Sequence, residues 1–121
     1  RATCGPVKRR RFHARTGYKV YVVFLSPGVM TLSGVRRLNP SADPKKSAIY
    51  VGMTHLTPEE RFKKHKAGHK ASRWVRDYGL GLLPKMYEHL NPIPTWEKAL
   101  AMEAWLAEAY RKQGYTVLGG H

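Results

Sequence analysis

Residues 48–69, AIYVGMTHLTPEERFKKHKAGH, decide how the rest of the chain is read. A short apolar run, Ala48-Ile49-Tyr50-Val51, breaks at Gly52 and gives way to Thr57-Pro58-Glu59-Glu60. Thr57 can accept a hydrogen bond from a free amide of a first helical turn, and Glu60 completes a capping box. Proline suits the first helical position, where its missing amide would go unpaired anyway. The pattern predicts a strand followed by a helix over 58–67, ended by Gly68. Arg61 and His65, four residues apart, leave one face of that helix, and His69 follows past Gly68 on the same side. A tyrosine at a strand end, a guanidinium and an imidazole then converge as a phosphate site requires.

Working outward, a chain of 121 residues suits one compact domain. Its 22 Lys and Arg against 8 Asp and Glu give a net charge of +14, which favours a polyanionic partner, nucleic acid first. The charge is unevenly placed: residues 1–20 carry seven cations and no acid, 21–60 come to +1, 61–90 to +6, and 91–121 are neutral. Cys4 is the single cysteine, which excludes an internal disulfide and a paired-thiol metal motif. His55, His65 and His69 lack the thiols or the carboxylate-backed helical pair that a zinc site would need. No apolar run approaches the roughly 18 residues of a membrane span.

Residues 1–16, with Lys8-Arg9-Arg10-Arg11, lack apolar periodicity and read as a basic, flexible arm contacting phosphate. The remainder, 17–121, reads as the folded domain. YKVYVVFL (18–25) is β-branched, aromatic and apolar on both faces, which predicts a covered central strand. Tyr21 shares a face with Val23 and Leu25, so by itself it reads as a core tyrosine. Residues 26–47 are rich in Pro and Gly and carry Arg36 and Arg37; they read as an inserted connection, a small ribbon or a binding loop. A second helix is expected over 70–78, a third strand over 85–90, and a long helix, capped by Thr95, over 96–113.

On that last helix, Trp96, Leu100, Glu103, Ala107 and Tyr110 fall in one stripe flanked by Ala99 and Leu106. A carboxylate therefore stands where a core residue belongs. Such a group changes its protonation, finds a cation or binds a metal; the structural alternative here is an ion pair with Arg61 or Arg73.

Taken together, Lys19-Val20-Tyr21 on one strand, Tyr50-Val51-Gly52 on the next, Arg61 and His65 on the following helix, and Glu103 before Ala-Trp-Leu resemble the GIY-YIG nuclease family. The resemblance covers 18–120. It implies an α+β fold, a small three-stranded antiparallel sheet packed between helices in the order β-β-α-α-β-α. It implies a metal-dependent endonuclease that hydrolyses phosphodiester bonds in nucleic acid, DNA in preference to RNA. Glu103 would be the one protein ligand of Mg²⁺ or Mn²⁺. Tyr21 would be the base for the attacking water, needing cationic surroundings to favour its phenolate, and Tyr50 would position water or phosphate. Arg61 would clamp the scissile phosphate, with His65 and then His69 holding phosphate or water.

Nucleic-acid contacts are expected from Lys8, Arg9, Arg10, Arg11, Arg36, Arg37, Lys63, Lys64, His69, Lys70, Arg73 and Arg76. Four departures stand out: Lys19 where the family tends to have glycine, one extra residue between Tyr50 and Arg61, the long loop between the tyrosines, and no asparagine near the end of the chain. The alternative is a non-catalytic DNA- or RNA-binding module on the same scaffold. One site cuts one strand, so double-strand cleavage would require a dimer, a further domain or a protein partner. The expected location is the cytoplasm, with the nucleoid if bacterial, and no membrane.

Overall fold

The computed structural model describes residues 17–120. The basic arm at 1–16, with Lys8, Arg9, Arg10 and Arg11, lies outside the described residues. Strand β1 (Lys19–Leu25) is buried at every position except the half-buried Phe24, as its two apolar faces require. It pairs antiparallel with β2 (Ala48–Thr54) in unbroken register from Lys19 opposite Thr54 to Leu25 opposite Ala48.

The expectation of three antiparallel strands is corrected: the sheet is mixed and four-stranded, in the order β3-β1-β2-β4. Strand β3 is Gly79–Leu82 rather than 85–90, and it pairs antiparallel with β1. Its sequence, GLGL, has no strand propensity of its own, so pairing with the buried β1 makes it a strand. Residues 85–90 instead fall in two short 3₁₀ turns, Pro84–Met86 and Glu88–Leu90. Pro84 fixes the backbone and lacks a donor there, and the Asn91 side chain occupies β1 by accepting from Val20 N–H (2.9 Å) and donating to Val20 O (2.8 Å).

Strand β4 (Thr116–Gly119) runs parallel to β2. On its other side the buried Asn39 accepts from Val117 N–H (2.9 Å) and donates to Val117 O (3.1 Å), so an amide side chain takes the place of a neighbouring strand. Asn39 arrives there because the inserted segment is helical rather than a ribbon or an open loop. It forms a 3₁₀ turn, Pro27–Thr31, and helix α1 (Ser33–Leu38), which bury Val29 and Val35.

Helix α2 (Pro58–Lys66) begins with both halves of the capping box, Thr57 Oγ1 accepting from Glu60 N–H and Glu60 Oε1 from Thr57 N–H. Helix α3 (Arg73–Tyr78) starts later than expected because Lys70 takes a left-handed conformation (φ 47°) and Ser72 supplies the cap. Helix α4 (Trp96–Lys112) follows Thr95. Its buried stripe is turned from the expected one: Ala99, Glu103, Leu106 and Ala107 face inward, while Trp96 and Leu100 are exposed. Small residues explain the turn, since a Cβ added at Gly120, just past β4, would meet Ala107. The helix seats through its alanines, and the larger side chains are left at the margin. No helix among the described residues is long and apolar enough to cross a membrane.

Candidate active site

The register of β1 against β2 builds the floor of the site. Tyr21 stands opposite Gly52 and Val23 opposite Tyr50, so both tyrosines project from one face as diagonal neighbours, with ring centroids 6.3 Å apart. Gly52 is what permits this arrangement. A Cβ there would lie 2.6 Å from Tyr21 Oη and 3.0 Å from Tyr50 Cε2, so the Tyr21 ring folds into space that only glycine leaves open. Gly119 does the same from β4: a Cβ there would meet the ring of Tyr50.

Helix α2 adds the imidazole. His65 is 1% exposed, its Nε2 is 2.8 Å from Tyr21 Oη, and its Nδ1 accepts the backbone N–H of Ser72 at 3.0 Å. Burial, helped by the Arg61 charge, holds its pKa down at about 4, so the ring is neutral near pH 7. With Nδ1 accepting, the single ring proton sits on Nε2 and is donated to Tyr21. The Ser72 side chain also eases ionisation of Tyr50, so one residue acts on both arms of the site.

Arg61 donates to the carbonyls of Lys70 (2.8 Å) and His69 (3.3 Å), and its charge acts on Tyr21. Its positive charge pulls the Tyr21 pKa down, as expected of a cationic neighbourhood. Burial outweighs it, with Tyr50 and Glu103 adding to burial, and the phenol is held well above the ordinary tyrosine range. Tyr50 is also raised, chiefly by burial, which outweighs the opposing influence of the Ser72 side chain.

Glu103 enters from α4 with 5% of its surface exposed. Among the described residues it has no hydrogen-bond or ion-pair partner. The expected alternative of an ion pair with Arg61 or Arg73 is not formed: Arg61 is occupied as above, and Arg73 lies over the Trp74 ring at 4.7 Å. Burial pushes the carboxyl up to about 7, and its charge in turn opposes ionisation of both tyrosines. A buried, unpaired oxygen donor facing two phenols fits one hard divalent cation that keeps most of its coordination for water and phosphate oxygen. Among the described residues no three His, Cys, Asp or Glu side chains group to hold a metal, which leaves out a zinc site at His55, His65 and His69.

Tyr21, Tyr50, Arg61, His65 and Glu103 are thus brought together, while the expected nucleic-acid contacts are dispersed. Lys64, His69 and Lys70 share with Arg61 a groove of about 460 Å³ beside the site. Lys63 and Arg73 are exposed on α2 and α3, Arg76 pairs with Asp77 at 3.0 Å, and Arg36 and Arg37 are exposed on α1. Arg36 lines a separate hollow with Asn39 and Thr116. Ser72, Gly119 and the fourth strand escape a reading by sequence. Ser72 precedes an apolar helix start and could have been found as a cap, but its reach to His65 depends on the fold.

A family model described as the GIY-YIG catalytic domain matches residues 41–116. The match includes Tyr50, Arg61, His65 and Glu103, and Tyr21 lies outside it. No curated protein and no solved structure matches the chain. The family match spans more than half of the chain and runs from β2 through the helices to Glu103, and the chain belongs to the GIY-YIG family.

Proposed function

We propose that this protein is an endonuclease that hydrolyses phosphodiester bonds in nucleic acid, DNA in preference to RNA, with one divalent metal ion, Mg²⁺ or Mn²⁺. The observation that carries the reading is Glu103, a buried side chain with no hydrogen-bond or ion-pair partner among the described residues, whose charge is felt by the two phenols on the neighbouring strands. A carboxylate held in the core without a protein partner is costly unless a proton or a cation meets it, and above neutral pH a cation is what the site can take.

Tyr21 is the proposed base. Its phenolate would take a proton from the attacking water, while His65 Nε2–H donates to the same oxygen and the Arg61 charge favours the phenolate. His65 does not pass that proton on, because Nδ1 is already occupied by the Ser72 amide. Arg61 directs its remaining donors at the scissile phosphate, where a planar, two-pronged cation stabilises the charge of the transition state. Tyr50, steadied by Ser72, orients the water or a phosphate oxygen. A divalent ion held by Glu103 would supply positive charge at a phosphoryl oxygen and at the departing oxygen. Water attacks phosphorus in line, the bond to the leaving oxygen breaks, that oxygen takes a proton from solvent water to leave as a hydroxyl, and Tyr21 gives its proton back to solvent. Double-strand breakage would require a dimer, a further domain or a partner.

A second reading, a non-catalytic nucleic-acid-binding module, draws on the raised Tyr21 pKa, which leaves little phenolate near neutral pH. The two readings separate on supercoiled plasmid and labelled RNA incubated with Mg²⁺ or with chelator. The proposal expects metal-dependent nicking of the plasmid ahead of the RNA. Tight binding of both polymers with no cut in either would favour the module.

A further inference from the structure

The groove beside Arg61 has two unlike walls. Tyr18, Trp96 and Met53 form an aromatic and apolar side, and Arg61, Lys64 and Lys70 form a cationic one. Trp96 is 52% exposed, an unusual state for the largest apolar side chain. It is nonetheless held in orientation by Tyr18, whose ring meets it edge to face at 5.9 Å and 74°. Tyr18 is itself fixed by two backbone bonds of 2.7 Å to Ile93. The aromatic wall is therefore pre-set before any ligand arrives.

We propose that this groove is a nucleotide subsite for an unpaired base next to the scissile phosphate, and hence that the preferred substrate has an unpaired or extruded nucleotide at the cut. The inference rests on the nuclease reading for the word scissile, and on the groove alone for the base. An opening of about 460 Å³ is sized for a small organic ligand rather than a lone anion. Its aromatic wall suits the π-face of a base, and its lysines suit the phosphates on either side. Arg61 lines this groove, is fixed there by the carbonyls of His69 and Lys70, and its charge reaches Tyr21, which ties the position of a held base to the phosphate at the site. A base in a continuous duplex has both faces covered by its neighbours and would have to leave the stack to use Trp96.

The test is binding by the full chain in chelator, measured by anisotropy on oligonucleotides of equal length and charge. One is a single strand, one a duplex with a bulged nucleotide, and one a fully paired duplex. Trp96→Ala is expected to weaken the first two by about 10-fold or more and the third by less than about 2-fold. Trp96→Phe should restore most of the loss. A matching signal is tryptophan quenching by the single strand that Trp96→Phe abolishes and that paired duplex does not produce. Equal loss on all three substrates, or no loss on the unpaired ones, overturns the subsite whether or not the plasmid is cut. Selective loss without any metal-dependent cleavage keeps the subsite and removes the nuclease.

Discussion

The interior of the site and the groove beside it are opposites in construction. Tyr21, His65 and Glu103 are 2%, 1% and 5% exposed, and each is positioned by a neighbour that leaves it little freedom: Gly52, the Ser72 amide, and the alanine face of α4. Lys64 and Lys70 stand in solvent, and Trp96 is held only from one edge. Burial perturbs the inner groups strongly, raising Tyr21 and Glu103 and lowering His65. Chemistry demands such fixed, desolvated groups, whereas recognition of a polyanion works through many exposed cations that add up and are screened by salt. Changes inside should therefore act on rate, and changes in the groove on affinity.

The largest effect should come from Tyr21→Phe, which keeps the ring over Gly52 and deletes the oxygen that meets His65 Nε2. Loss of a proton acceptor should lower kcat by about 10²–10⁴-fold with little change in KM. Because burial holds this phenol above its ordinary value, the parent's rate should rise with pH through the alkaline range, and the residual rate of the variant should not. A flat parent profile measured at fixed metal would remove Tyr21 as the base.

Gly52→Ala should come next. The added methyl must displace the Tyr21 ring, so single-turnover cleavage should fall by about 10²-fold while DNA binding is kept. Equal activity would mean that the ring can move without harm to the chemistry.

A third comparison concerns acid stability. His65 has an ordinary value of 6.5 and is held down at about 4 in the folded chain. Between those values the unfolded chain binds more protons. The His65 contribution is therefore complete above pH 6.5 and falls as pH drops towards 4, by up to about 3 kcal/mol, while Glu103, raised from 4.5 to about 7, takes up its proton in the folded chain over the same range and works the other way. Thermal unfolding of the parent and of His65→Gln from pH 7.5 to 4.5 isolates the His65 part: the unfolding temperature of the parent relative to the variant should fall as pH drops, and a difference that stays constant would remove the effect.

The smallest changes belong to the rim. Lys64→Ala and Lys70→Ala should each weaken binding a few-fold on any sequence and reduce the salt dependence, with the slope of log affinity against log salt falling by about 1. A large kcat effect from either would place these lysines inside the chemistry and blur the contrast between the two regions.

What the sequence makes legible follows the same division between local and distant causes. The start of α2 depends on four consecutive residues, and its capping box forms as they imply. Glu103 stands out on the helical wheel because a carboxylate amid alanine and leucine is detectable without a fold. The family model begins at residue 41, within the inserted segment, so Tyr21 lies outside it; the strand pattern makes β1 legible, apolar on both faces, but reads Tyr21 as a core residue, and only its combination with Tyr50, Arg61, His65 and Glu103 singles it out. Strand β3 is not, since GLGL becomes a strand only by pairing with β1. The stripe of α4 is misjudged at Trp96 and Leu100 because hydrophobicity predicts which residues would gain from burial, whereas close packing of Ala107 near Gly120 decides which ones fit. The tautomer of His65 depends on a backbone amide seven residues away, which no local pattern announces.

The central claim, that Glu103 is buried for chemistry rather than for stability, is tested most directly by Glu103→Gln. The variant should lose Mg²⁺-dependent nicking of plasmid while binding DNA as the parent does. In chelator at pH 8 it should unfold at the same temperature or higher, because a buried charge has been replaced by a neutral amide of equal size. Retained nicking, or a fall in unfolding temperature that by itself accounts for the lost activity, would contradict the claim.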